Sequence, residues 1–313
     1  MTARPKSLSL ASLATEQANP HSADLDTKPS LEIARIINAE DTTVAAAVEC
    51  ALPQIAQAID WIAEALSNGG RLIYVGAGTS GRLAALDAAE CPPTFNTKPE
   101  MVQAIIAGGA RAFSGAREGE EDSRTAAVRE IGKRRVSKKD VVVGIAASGR
   151  TPFTVAAVVA ARRAGAKTVA ITSNRGMPLE RAAELAIVVE TGAEVVCGST
   201  RMKAGTAQKM VLNMLSTGAM VRLGYVYGNL MVNMHRKNSK LAERAERTLQ
   251  CALSSPGNVK SALKKAGNSV PVAIVMHETN ATRRDAETAL RRARGNVRKA
   301  VGALKVPVQS SLA

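Results

Sequence analysis

The chain has 313 residues, 46% of them hydrophobic and only 2% aromatic, and its formal net charge is +15 at pH 7. Its length can bury a large core and suits one α/β domain with helical additions. The four cysteines show no disulfide framework, no signal peptide is visible and polar residues interrupt the longest apolar tract (residues 210–234), which argues against a secreted or membrane-spanning protein. We therefore expect a reduced, cytoplasmic protein, and we interpret the apolar tract as buried helices or a subunit interface.

The positive charge is concentrated near the carboxyl terminus. Residues 235–313 carry 16 Lys and Arg against 5 Asp and Glu, which places +11 of the +15 there. A basic tail can attract nucleic acid or an acidic membrane surface. We favour a solvated helical surface, because the tail has no aromatic side chains on which bases could stack. The sequence thus predicts neither a nucleic-acid nor a membrane partner.

The first elements in chain order are an arm, two helices, a strand and a further helix. Residues 1–29 are rich in Ser, Thr, Pro and Asn with weak periodicity, which predicts a partly disordered arm. Apolar spacing predicts helices over 31–38 and 44–67. A strand over 71–75 and a helix over 81–89 follow, and we expect Cys91-Pro92-Pro93 to end that helix.

Strands and helices alternate in the central part of the chain. The predicted strands are residues 101–107, 141–145, 168–172 and 186–189, and the predicted helices are 124–134, 152–164, 179–184 and a long one from about 205. This alternation predicts an α/β fold with a doubly wound, mostly parallel sheet flanked by helices, over residues 30–238. Residues 239–313 contain Gly and Pro breaks, which predict a small, basic helical appendage.

Two segments share one pattern, in which an apolar strand runs into a small-residue turn with hydroxyls and then into a helix. They are RLIYVGAGTSGR (71–82) and DVVVGIAASGRT (140–151). Such a turn presents backbone N–H groups and the positive end of a helix to an anion, and Ser and Thr add donors. We call residues 76–82 the first cradle and residues 146–151 the second cradle, and expect both at the carboxyl edge of one sheet around a phosphate. The predicted contacts are Gly78, Thr79, Ser80, Ser148, Gly149 and Thr151.

The first cradle also satisfies G-x-G-x-x-G after a strand, the fingerprint of a dinucleotide site. Such a site needs an acidic residue at the end of the second strand, and Ile105-Ile106-Ala107-Gly108 offers none. We therefore prefer a sugar phosphate to a nicotinamide cofactor. A purely structural role of both turns, as tight strand-to-helix connections, is the remaining alternative.

Acidic residues near the cradles are candidates for acid and base catalysis. Glu90 ends the predicted helix after the first cradle. The helix dipole disfavours a carboxylate at this end, so a requirement other than helix stability can explain why a glutamate stands there. Residues 118–122 form an acidic run, a pattern most often found on a solvated face. Two carboxyls in different surroundings can divide the roles of acid and base.

The residues around these motifs resemble the N-acetylmuramic acid 6-phosphate etherases. The resemblance rests on the first cradle with DAAECPPTF (87–95), on VGIAASGRTP (143–152), and on GAEVV with GSTRMKAGTAQK (192–209). The family pattern is also matched by Thr15-Glu16 with Asn19 and by INAED (37–41). The resemblance runs from about residue 13 to about residue 304. More distant relatives with this sugar isomerase (SIS) fold include phosphosugar isomerases and the glucokinase regulatory protein.

The resemblance implies a SIS-type fold and a carbon–oxygen lyase of the hydro-lyase type. The implied reaction is cytoplasmic cleavage of the D-lactyl ether of N-acetylmuramic acid 6-phosphate, giving N-acetylglucosamine 6-phosphate and D-lactate in cell-wall amino-sugar recycling. It also implies a homodimer, and neither a metal nor an organic cofactor. A phosphosugar isomerase and a non-catalytic sugar-phosphate sensor on the same fold are the alternatives.

The resemblance also assigns roles by position. The proton donor of the family falls on Glu90, and its second active-site glutamate falls on Glu121 rather than Glu120, by the spacing to Asp122-Ser123. We expect Glu121 as the base and Glu90 as the acid. Further expected substrate contacts are Ser199 and Lys203, where Lys203 or Arg201 would neutralise the phosphate or the lactate carboxylate.

Overall fold

The computed structural model describes residues 13–113, 118–233, 239–253 and 257–305. Residues 1–12 of the predicted arm, the predicted break at Pro256 and the last eight residues of the predicted appendage lie outside this range. The chain forms two compact units. The first consists of the residues up to Ala89 and of Pro99–Ser216, and the second consists of Glu90–Lys98 and the residues from Thr217 onward. The first unit ends at Ser216, before residue 238. That the α/β domain ends at residue 238 stays a prediction.

The part of the predicted arm that is described has regular structure. It forms three short 3-10 helices, Ala14–Glu16, Pro20–Ser22 and Leu25–Thr27. Thr15 is fully buried and its Oγ1 accepts a hydrogen bond of 3.1 Å from Asn174 Nδ2. The Ser, Thr and Asn content that suggested disorder therefore serves turn and tertiary hydrogen bonds from residue 13 on.

Three helices precede the sheet: α1 (Ser30–Asp41), α2 (Thr43–Glu49) and α3 (Leu52–Ser67). The single helix predicted over 44–67 is wrong at residues 50–51, where the chain breaks between α2 and α3. Pro53 explains the break, since it lies in the first turn of α3, where its missing N–H is tolerated, and could not continue a helix from α2.

Five parallel strands form one sheet in the order β2-β1-β3-β4-β5. The strands are β1 (Leu72–Gly76), β2 (Val102–Ile106), β3 (Val141–Ile145), β4 (Lys167–Thr172) and β5 (Leu185–Val188). β1 and β3 are buried along their whole lengths, as expected when helices cover both faces of a parallel sheet. The predicted doubly wound α/β fold is confirmed.

The helices that follow these strands are α4 (Gly78–Phe95), α5 (Arg124–Lys133), α6 (Pro152–Arg163), α7 (Pro178–Ala182) and α8 (Lys203–Leu223). The prediction for α4 is wrong at both ends. It begins three residues earlier and continues through Pro92 and Pro93, where the Pro92 carbonyl accepts from Asn96 N–H at 2.9 Å. Asn96, with a φ of 58°, ends the helix in the left-handed conformation.

The second unit has its own core. Beyond α8 a hairpin of β6 (Val226–Tyr227) and β7 (Leu230–Met231) is followed by α9 (Ser239–Ala252), α10 (Val259–Lys265), α11 (Val270–Thr279), α12 (Arg283–Arg292) and α13 (Val297–Lys305). Leu249, Ile274 and Val297 are fully buried in this core. The short helices of the tail are confirmed, whereas the hairpin was missed because two-residue strands carry no periodicity. None of the described helices combines the length and hydropathy needed to cross a bilayer.

Candidate functional site

The two cradles lie next to each other at the carboxyl edge of the sheet, because β1 and β3 are neighbouring strands. Gly76 at the end of β1 pairs in register with Ile145 at the end of β3. The strand order reverses between these two strands, which is where open α/β sheets bind ligands. The prediction that both turns share one edge is confirmed.

The first cradle depends on its glycines. A Cβ on Gly81 would lie 2.6 Å from Ile106 Cγ1 and 2.8 Å from the carbonyl oxygen of Gly76, so only glycine lets the helix approach the strands this closely. Because α4 begins at Gly78, Thr79 and Ser80 lie in its first turn, where backbone N–H groups have no partner within the helix. Free N–H groups, two hydroxyls and the positive helix end suit an anion.

The second cradle is held in shape by backbone hydrogen bonds. Gly149 has a φ of 65°, and its N–H donates to the Ala146 carbonyl at 2.9 Å while its own carbonyl accepts from Leu179 N–H. The N–H of Arg150 donates to Ser148 Oγ at 3.2 Å. Thr151 directly precedes α6, and its side chain makes no capping bond to that helix. This hydroxyl can therefore serve a ligand.

Arg150, which was not among the predicted contacts, lies between Gly149 and Thr151 in the second cradle. Its Nη1 atom is buried and has no hydrogen-bond partner among the described residues. A buried guanidinium nitrogen without a partner is unfavourable, and an anion at the second cradle would satisfy it. The residue lies inside the predicted motif, but its burial could not be predicted from residue type.

Lys203 is engaged within the protein. Its side chain is only 4% exposed, and Nζ donates to Glu40 Oε2 at 2.5 Å. The N–H groups of Lys203 and Ala204 donate to the two carboxylate oxygens of the buried Glu194, at 2.9 and 3.0 Å. The ammonium of Lys203, which we expected to face a substrate anion, thus meets a carboxylate of the chain itself, and so do two backbone donors at the start of α8.

The charge of Glu40 is stabilised by its neighbours. Burial acts to raise the pKa of this carboxyl, but hydrogen bonds from Lys203, His21 and Asn19 outweigh it and lower the pKa to about 2. His21 Nδ1 lies 2.8 Å from Glu40 Oε1. For Glu194, in contrast, burial prevails and raises the pKa despite the two backbone donors.

The first turns of α4 and α8 lie side by side. A Cβ on Gly205 would be 3.7 Å from Thr79 Cγ2, which is ordinary contact. Further along, Ser216 Oγ donates to Asp87 Oδ1 at 3.0 Å. The two helices therefore run in the same direction, and the start of α8 borders the first cradle. Ser199, half-buried, lies in the turn before α8.

The two predicted catalytic glutamates have different placements. Glu121 is half-buried in a 3-10 helix, Glu118–Asp122, which packs against α6, the helix that begins at the second cradle. Glu120 lies in the same short helix and is also half-buried. Glu90 is exposed on α4, ten residues after Ser80, and is the first residue of the second compact unit.

Comparison with known proteins decides the family. A model described as the glucokinase regulatory protein N-terminal SIS domain matches residues 54–162, and a SIS domain model matches residues 126–218. The chain is 56% identical over 269 residues to the N-acetylmuramic acid 6-phosphate etherase of Symbiobacterium thermophilum, covering 86% of this chain and 89% of that relative. The etherase of Photorhabdus laumondii is 46% identical over 299 residues, covering 95% and 99%. The chain belongs to the N-acetylmuramic acid 6-phosphate etherase family.

Membership of the etherase family confirms the resemblance and the SIS-type fold. Among solved structures, the chain is similar to a phosphoheptose isomerase from Francisella tularensis, with a TM-score of 0.47 and 18% identity over 61% of this chain and 98% of that one. It is also similar to the Vibrio vulnificus NanR protein complexed with ManNAc-6P, with a TM-score of 0.45 and 15% identity over 64% and 67%.

Proposed function

We propose that this member of the etherase family is a carbon–oxygen lyase that cleaves the D-lactyl ether of N-acetylmuramic acid 6-phosphate. The products are N-acetylglucosamine 6-phosphate and D-lactate. The observation that carries the proposal is the identity of 56% to a named etherase over 86% of the chain. The adjacent cradles supply a place for the phosphate that this substrate carries.

The 6-phosphate binds between the two cradles. It accepts hydrogen bonds from the hydroxyl groups of Thr79, Ser80, Ser148 and Thr151. It also accepts hydrogen bonds from backbone N–H groups in the turns around Gly78 and Gly149. Support comes from the register of β1 and β3, which puts both turns at one edge, and from the unpartnered Arg150 nitrogen. Binding energy from this remote group positions C2 and C3 of the sugar for reaction.

Glu121 acts as the base and Glu90 as the acid. In the open-chain sugar the aldehyde acidifies the C2 hydrogen, so Glu121 removes that proton first and leaves an enolate, from which the C3–O bond then breaks. Glu90 gives its proton to the ether oxygen, and lactate leaves C3 as the C2–C3 double bond of an unsaturated aldehyde forms. Water then adds at C3 while C2 regains a proton, so that one water is consumed for each lactate released. General acid and base catalysis each contribute about 10²–10⁴-fold in rate.

The 3-10 helix that carries Glu121 packs against α6, which begins at the second cradle, and both assignments rest on the family resemblance. Ser199 and Lys203 complete the proposed site, with Lys203 acting through its buried pair with Glu40 rather than as a freely exposed cation. The resemblance further supports a cytoplasmic homodimer.

The test is incubation with N-acetylmuramic acid 6-phosphate in deuterated water, following lactate and deuterium at C2 together. Glu121→Gln should abolish both signals, whereas Glu90→Gln should abolish lactate release and keep C2 exchange. Glu120→Gln, beside Glu121 in the same 3-10 helix, is the matched control and should keep both. Lactate release retained by Glu121→Gln or Glu90→Gln would remove that residue from the mechanism. C2 exchange without lactate in the wild type would favour an isomerase, and neither signal would favour a sensor.

A further inference from the structure

Gln208 on α8 carries a buried carboxamide that the proposed mechanism does not use. The residue is 3% exposed, and neither Nε2 nor Oε1 has a hydrogen-bond partner among the described residues. Buried polar groups in proteins are nearly always paired, and leaving a donor and an acceptor unpaired destabilises the fold. A carboxamide in this state calls for a partner that the described part of the chain does not supply.

The direction of the side chain follows from helix geometry. Side chains on a helix lean toward its N-terminus and cover the preceding turn, so Gln208 extends over the turn that contains Ala204 and Gly205. Gly205 has no side chain and lies against Thr79 of the first cradle. Gln208 is therefore one helical turn from the residue at which α8 meets the first cradle.

The buried charged groups at this end of α8 already have partners. Glu194 accepts the N–H groups of Lys203 and Ala204, and Glu40 accepts from Lys203 Nζ. Gln208 therefore has neither the capping role nor the charge-pairing role. Its amide remains buried without either of these roles.

The chemistry of the group identifies its ligand. A carboxamide offers a donor and an acceptor side by side, and another carboxamide matches both at once, whichever way round the Gln208 amide is placed. A phosphate or carboxylate would satisfy the donor and leave Oε1 facing negative charge. The substrate under the proposed function carries one carboxamide, the 2-acetamido group. We infer that Gln208 is a specificity-determining residue that pairs with this acetamido group, an inference that rests on the proposed function.

The inference is tested by ligand discrimination. Affinities for N-acetylglucosamine 6-phosphate and for glucose 6-phosphate, which has a hydroxyl at C2, are measured by calorimetry on the wild type and on Gln208→Met. We expect the variant to bind N-acetylglucosamine 6-phosphate at least about tenfold more weakly and glucose 6-phosphate within about twofold of the wild type. Its ligand-free melting temperature should be equal or higher, because an unpaired amide has been replaced by an apolar chain of similar length. Gln57→Met, at an exposed glutamine of α3, is the control and should change neither.

Two results would overturn the inference. One is a variant that keeps the wild-type preference for the acetamido sugar. The other is a lower melting temperature in both Gln208→Met and Gln208→Leu, which would mean that the amide serves the fold. Lactate release by the wild type tests the proposed function separately. If lactate is released and the preference survives in Gln208→Met, only this inference fails; if no lactate is released but the preference depends on Gln208, only the reaction fails.

Discussion

Lys203 Nζ donates to Glu40 Oε2 at 2.5 Å, and this bond joins the start of α8 to the end of α1. The two side chains are 4% and 11% exposed, and they are 163 residues apart in sequence. Glu194 holds the backbone of Lys203 at the same time. The position of α8 beside the first cradle therefore depends on carboxylates from two other parts of the chain.

Removing the cation of this pair should be strongly destabilising. We expect Lys203→Met to lower the free energy of unfolding by about 3–5 kcal/mol, because it leaves the Glu40 carboxylate buried without its counter-charge. The double variant with Glu40→Gln should recover part of this loss, since no lone charge remains. Urea denaturation monitored by circular dichroism measures both. A loss below about 1 kcal/mol in the single variant would show that water reaches the pair.

The Lys203–Glu40 pair predicts that the free energy of unfolding falls at acidic pH. The pKa of Glu40 is lowered to about 2 from 4.5, so the folded protein binds fewer protons than the unfolded one between these values. Its contribution is fully present above pH 4.5 and is lost as the pH falls toward 2; the shift corresponds to about 3 kcal/mol. The difference in unfolding free energy between the wild type and Glu40→Gln should therefore shrink across this range. A difference that is constant from pH 5 to pH 2.5 would contradict the assignment.

Asp87 predicts a pH dependence of the opposite sign. Burial raises the pKa of this carboxyl to about 6, although Tyr74 Oη and Ser216 Oγ donate to it at 2.9 and 3.0 Å and favour the charged form. The folded protein thus binds more protons than the unfolded one between pH 4 and 6, and stability falls as the pH rises through this interval.

Replacing Asp87 by asparagine should remove this loss. Asp87→Asn keeps the shape and can accept from Tyr74, so we expect it to be more stable than the wild type by about 1–3 kcal/mol above pH 6.5, with little difference near pH 3.5. Thermal denaturation at the two pH values measures the change. Equal stability of both proteins at pH 7.5 would mean that Asp87 is accommodated as a carboxylate.

The strands and both cradles could be predicted because their signals are local. The run of apolar residues in β1 and β3 and the small-residue turns after them depend on neighbours in sequence, and the parallel sheet then places the turns together. Glu40 could not be recognised in the same way. It lies on a helix far from Lys203 in sequence, and only the folded chain brings the two residues into contact.

Gln208 and Arg150 show a second limit. Both lie inside the motifs of the resemblance, yet residue type says nothing about whether a polar atom is buried or partnered. Local rules also failed at Pro92 and Pro93, through which α4 continues, with the Pro92 carbonyl accepting from Asn96 N–H. The Ser- and Asn-rich segment from residue 13 shows the same limit, because residues that favour disorder also cap short turns.

Arg150 should control anion affinity at the second cradle. We expect Arg150→Met to weaken binding of glucose 6-phosphate by about 10–100-fold, the usual effect of losing a hydrogen bond to a charged group, with little change in melting temperature. Arg163→Met, at an exposed arginine at the end of α6, removes the same charge away from the cradle and is the control. Equal weakening in both variants would indicate a general effect of net charge, and no weakening in either would remove Arg150 from the site.

The shape of the second cradle requires glycine at position 149 for two separable reasons. Its φ of 65° is left-handed, and a Cβ there would lie 2.5 Å from Met177 Cβ and 2.7 Å from Thr172 Oγ1. Thr172 cannot move away freely, since its hydroxyl donates to the Ala147 carbonyl. Gly192 has a similar φ of 69° with nothing within 4 Å of such a Cβ, and so it isolates the backbone effect.

Alanine at the two positions should therefore differ in effect. Gly192→Ala should destabilise by about 1–2 kcal/mol, the strain of a left-handed residue. Gly149→Ala should destabilise by about 2–5 kcal/mol, because overpacking against Met177 and Thr172 adds to the same strain. Chemical denaturation gives both values, and titration with glucose 6-phosphate should show weaker binding in Gly149→Ala alone. If the two variants lose equal stability, the second cradle can shift to admit a methyl group, and the rigid geometry that we assign to its phosphate contacts would be wrong.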